Sequence, residues 1–107
     1  MKATPEIMTR VNGFVAKVQG ETLLHYAKEF SILTPPVISM KEGSKNFKLI
    51  STHCGSRSVY CFVDKATGNI LKAAGWSAPA KHSRGNIFDA NYGWGKAVNI
   101  YGAVYLR

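Results

Sequence analysis

The side chains that do most protein chemistry are sparse in this chain: three histidines, two cysteines and six carboxylates. His53 and Cys54 are adjacent, but a Cys/His nucleophilic pair needs converging side chains, and neighbours along a strand point to opposite faces. His25 and His82 stand alone, and Glu6, Glu21, Glu29, Glu42, Asp64 and Asp89 are scattered. There is no HExxH or CxxC spacing for a metal and no Walker or dinucleotide glycine pattern for a phosphate. The sequence therefore reads as a non-enzyme, with no catalytic residue, metal or cofactor. Cys54 and Cys61 sit seven apart around Gly55. A hairpin there leaves both a disulfide and two free thiols open, and an intracellular setting favours the thiols.

Positive charge is the strongest bulk signal. The 107 residues carry a net charge of +8. Residues 1–42 hold five Lys/Arg against four Glu, and residues 43–107 hold nine against Asp64 and Asp89. Such asymmetry points to one basic face and an anionic partner. Within it, Lys81-His82-Ser83-Arg84-Gly85-Asn86 offers two permanent cations, a histidine and a glycine that lets backbone N–H groups approach an anion. Trp76, Phe88, Tyr92 and Trp94 lie nearby in sequence, and basic residues interleaved with aromatics are what a single-strand binding surface needs. Lys48 and Lys72, on predicted strands, are read as sharing the solvent face of the sheet and making a platform for phosphates. The competing reading is a solvated loop whose rings point inward, with lysines that protect sheet edges.

These residues need elements to position them. Thr4-Pro5-Glu6 reads as a helix start, with Thr4 as the cap and Pro5 in the first turn. Ile7, Val11, Phe14 and Val18 follow at helical spacing, and Leu23, Leu24, Ala27 and Phe30 continue it. Gly13 and Gly20 weaken the pattern, so one bent helix or two short ones are predicted before Pro35-Pro36. The period then changes to two. Val37–Met40, residues 46–53, 57–64 and 69–73 read as an antiparallel meander, with 57–64 apolar on both faces and hence central. Asp64-Lys65-Ala66-Thr67-Gly68-Asn69 is a hairpin turn. From Trp76 onward the period is lost. The fold class is α+β in a single domain, 1–107: an N-terminal helix or helix pair on a three- to four-stranded meander, then an irregular, aromatic-rich C-terminal segment.

Residues 57–107 also carry distinctive strings: Arg57-Ser58-Val59-Tyr60-Cys61-Phe62-Val63-Asp64, Thr67-Gly68-Asn69-Ile70-Leu71-Lys72-Ala73-Ala74, Ala78-Pro79-Ala80-Lys81 and Arg84-Gly85-Asn86-Ile87. With Trp76, Asp89, Tyr101-Gly102 and Tyr105-Leu106-Arg107, they resemble a family of small, mostly uncharacterised proteins encoded by tailed phages and environmental viral genomes. The resemblance implies viral origin and transfers no activity.

With no apolar run long enough for a membrane span and no secretory h-region, the expected setting is the host bacterial cytoplasm. The expected role is that of an accessory protein binding nucleic acid with little sequence preference through Lys81, His82, Arg84, Trp76, Trp94, Lys48 and Lys72. The alternative partner is a host protein that the chain binds and inhibits.

Overall fold

The computed structural model describes residues 4–29, 34–99 and 102–103. Thr4 accepts a hydrogen bond from the Ile7 N–H on its Oγ1, 3.2 Å away, and so caps α1 (Pro5–Glu29). This is one helix that runs on through Gly20 rather than two short ones. Its stripe of Ile7, Val11, Phe14 and Val18 is fully buried. Phe30 lies outside the described residues.

Five antiparallel strands follow in the spatial order of the chain: β1 (Val37–Glu42), β2 (Asn46–His53), β3 (Ser56–Asp64), β4 (Asn69–Ala73) and β5 (Pro79–Asn86). The three contiguous strands predicted over 46–73 form, and β3 is central. The turn after β3 closes as its residues dictate. Asp64 Oδ1 accepts from the N–H groups of Ala66 and Thr67, and Gly68 takes φ 78°.

One expectation fails at β5. Lys81-His82-Ser83-Arg84-Gly85 is not a loop but the second edge of the sheet, which raises the meander to five strands. Its pairing with β4 slips twice, between Ile70 and Leu71 and between Leu71 and Ala73. Bulges and charges of this kind blunt an edge against further pairing.

Beyond β5 the described residues add only short elements to the expected irregular segment. A turn over Ala90–Gly93 leads to a small hairpin of β6 (Val98–Asn99) and β7 (Gly102–Ala103). Asn91, Tyr92 and Gly93 take left-handed φ of 53°, 57° and 76°. Residues 101 and 104–107 of the predicted terminal strand or tail lie outside the described residues.

The helix and this hairpin cover the same face of the sheet. Ile7, Val11, Phe14 and Val18 pack with Phe47, Leu49, Cys61, Val63 and Ile70 from the strands and with Ile87, Val98 and Ala103 from the C-terminal segment. Arg10 joins the two halves of the cover. Its Nε donates to the Ile87 carbonyl at 2.5 Å, its Nη2 donates to the Asp89 carbonyl at 2.9 Å, and its guanidinium lies 3.9 Å from the centre of the Tyr92 ring. Tyr92 in turn rests against Gly13, where an added Cβ would collide with the phenol oxygen and lie 2.9 Å from Cζ. At the other end Gln19 lies along β1. Its Nε2 donates to the Pro36 carbonyl at 3.1 Å, and its Oε1 accepts from the Ile38 N–H at 2.7 Å.

Candidate nucleic-acid interface

Strand register decides which side chains share the uncovered face. Lys48 pairs with Phe62, and Phe62 with Leu71, so these three form one row across β2, β3 and β4. Their neighbours Phe47, Leu49, Cys61, Val63 and Ile70 belong to the covered core. Lys72, one residue beyond Leu71, points with Ile70 to the covered side, where its Nζ donates to the Ala103 carbonyl at 3.1 Å. Lys48 and Lys72 therefore do not share a face, contrary to expectation. Parity with Ile70 was the signal that would have separated them.

On the uncovered face the residues 74–78 between β4 and β5 fold back over the sheet. Two backbone bonds, from the N–H groups of Ala74 and Gly75 to the Ala78 carbonyl, close this turn. It carries Trp76 across β3 as far as Lys48 on β2, whose Nζ sits 4.4 Å from the ring centre. Arg57, from the start of β3, brings its guanidinium carbon to 5.2 Å. Lys48 also stands 5.9 Å from the Phe62 ring, which is only 4% exposed despite lying outside the helix-covered core. Trp76 keeps 44% of its surface open. The result is an indole flanked by two cations with much of its surface in solvent.

Beside it runs an open groove of about 470 Å³. The turn from Lys41 to Asn46 forms one wall, Ser77 and Pro79 the other, and Phe62 and Lys48 line the space between. Lys41 and Lys45 are exposed. The carboxylate here, Glu42, is already engaged: Lys65 Nζ donates to its Oε2 at 2.7 Å and to the Gly43 carbonyl at 3.0 Å. Lys65 is 4% exposed and ties this turn to the end of β3, so a lysine that looks in sequence like a surface cation is a structural pin. Lys41, Lys45 and Lys48 thus leave the groove with a clear positive excess, and Arg57 adds a further cation beside Trp76.

The other predicted residues lie elsewhere. Trp94 packs on the covered side, beside Leu24, His25 and Lys28 of α1. It also borders a recess of about 550 Å³ with Arg84 and Lys96. Lys81 and His82 are exposed on the β5 edge, and the His82 carbonyl accepts from Arg84 Nη1. Trp76 and Trp94 therefore serve different surfaces. The contributions of Lys41, Lys45 and Arg57 were obscured because only register and the folded-back turn bring them together.

The cysteine chemistry resolves. Both thiols are free, Cys54 exposed in the β2–β3 turn and Cys61 buried. Burial pushes the Cys61 thiol well up from its ordinary pKa, away from a reactive thiolate. His53 does not turn toward Cys54. Its Nε2 lies 2.9 Å from the Thr34 carbonyl, and its ring meets Tyr26 edge-on at 5.7 Å.

The model of DUF7717, a family of unknown function, matches residues 25–99. The chain belongs to that family. The matched region takes in all five strands of the large sheet, the folded-back turn with Trp76 and the recess at Trp94, but leaves out most of α1. No curated protein and no solved structure matches the chain. Among the described residues no helix is long and apolar enough to cross a membrane.

Proposed function

We propose that the chain is a non-enzymatic accessory protein that binds nucleic acid with little sequence preference, through the uncovered face of its sheet. One observation carries the reading: the half-open Trp76 ring has Lys48 and Arg57 against it, beside a groove whose carboxylate is already neutralised. Cations supply attraction to phosphates whatever the sequence, and a flat ring accepts any base. The resemblance of residues 57–107 to small phage-encoded proteins supports a viral origin and a place of action in the host bacterial cytoplasm.

Two double variants test where binding occurs. In fluorescence anisotropy with unrelated oligonucleotides, Lys48→Ala with Arg57→Ala should weaken binding equally for all. It should also flatten the slope of log affinity against log salt by about one to two units. Lys81→Ala with Arg84→Ala, on the β5 edge, should change that slope less. No binding by the wild type at low salt refutes the reading. A larger loss from the second pair moves the site to β5. A second reading, a protein that binds and inhibits a host protein, draws on Leu23 and Leu24, which stand 47% and 66% exposed on α1.

A further inference from the structure

Resting on that reading, we infer that the groove takes an unpaired strand in preference to a duplex, with a base against Trp76 and the flanking phosphates on Lys41, Lys45 and Lys48. Trp76 is presented at the tip of a turn, 44% exposed, with cations on the ring and no aromatic partner for its open surface among the described residues. A duplex hides the faces of its bases inside the stack, whereas a single strand can splay a base out onto an aromatic side chain.

The groove strengthens this. It is walled on both sides, by the 41–46 turn and by Ser77 and Pro79, and its volume of about 470 Å³ falls in the range of sites for individual small molecules. Asn46, Ser44 and Ser77 place polar groups at its walls, where they can meet base edges without demanding one base. Lys41 and Lys45 on one wall and Lys48 between the walls can follow a single backbone. Duplex-binding surfaces instead place a helix or ribbon in a groove of the DNA or span two phosphate chains, and this concave face presents neither element.

The test uses the full chain and a labelled oligodeoxythymidine, compared with a duplex of equal length at two salt concentrations. The single strand should bind at least about tenfold tighter, as expected from one base–aromatic stack. Trp76→Ala should remove most of that preference and Trp76→Phe should keep it. As a readout that leaves Trp76 in place, Trp94→Phe makes Trp76 the sole tryptophan. Its fluorescence should be quenched by the single strand and not by the duplex. Equal or tighter duplex binding without quenching overturns this inference and leaves the nucleic-acid reading standing. Absence of binding to either probe at low salt removes both.

Discussion

Replacing Gly13 by alanine pits two effects of known size against each other. Inside a helix alanine is favoured over glycine by about 1 kcal/mol. Gly20 shows that gain alone: it is exposed, and an added Cβ meets nothing within 4 Å, so Gly20→Ala should stabilise by about 0.5–1 kcal/mol. At Gly13 the Cβ would drive into the Tyr92 phenol, with Cζ at 2.9 Å and Cε1 at 3.1 Å. Tyr92 cannot swing away cheaply, because the Arg10 guanidinium lies against its ring and Phe14 packs 6.3 Å from it, centre to centre. Overpacking of this kind costs about 1–3 kcal/mol. Net of the propensity gain, Gly13→Ala should destabilise by about 0–2 kcal/mol, and the two alanine variants should differ by about 1–3 kcal/mol. Urea denaturation reads this directly, and each kcal/mol corresponds to a melting shift of about 4–8 °C at this size. In a Tyr92→Leu background the conflict is relieved, and Gly13→Ala should become stabilising, a coupling that a double-mutant cycle isolates. Equal stabilisation by the two alanines in the wild-type background would refute the packing of the C-terminal segment on α1.

Two further outcomes follow from burial. Phe62→Ala should cost about 3–5 kcal/mol in urea denaturation although Phe62 lies outside the helix-covered core, since the ring is 4% exposed; an unchanged midpoint would contradict this. Thiol labelling should modify Cys54 in the folded protein and reach Cys61 only on unfolding. Burial raises the pKa of Cys61, and burial first, with the neighbouring Cys61 second, raises that of Tyr60. Both groups hold their protons in the folded chain at pH values where the unfolded chain loses them, from about 8.5 for cysteine. Their contribution is complete below that pH and is lost as pH rises, by up to about 1.4 kcal/mol per unit for each group. Urea midpoints that do not fall between pH 8 and 10 would count against it.

What sequence reveals here is what local chemistry decides. The Thr4 cap, the Asp64–Gly68 turn and the doubly apolar β3 depend on residues within a few positions of one another, and all three form as read. β5 escaped because an edge strand has one partner and solvent beside it, so Lys81-His82-Ser83-Arg84 carries no apolar alternation to mark it. Gly13 counted against the helix when judged by propensity, yet the packing of Tyr92 needs it there. Arg10 and Lys65 look like ordinary surface charges until partners 77 and 23 positions away are in place. The candidate interface was half legible. Sequence points to Lys48 and Trp76, but their meeting depends on a turn folding back over β3, and it is the register that separates the face of Lys72 from that of Lys48.

The Gln19 side chain has a consequence for self-association. Its amide donates to Pro36 and accepts from Ile38, the exchange of bonds that a neighbouring strand would make along the outer margin of β1. A second molecule seeking to extend the sheet there must first evict that amide, at the cost of two satisfied hydrogen bonds. Resistance to polymerisation at this margin thus resides in one residue of the helix rather than in the strand it shields. Gln19 lies outside the stretch shared with DUF7717, and β1 lies within it. A fragment trimmed to the shared stretch would expose a sticky margin that the longer chain keeps closed, and its solubility would understate that of the whole.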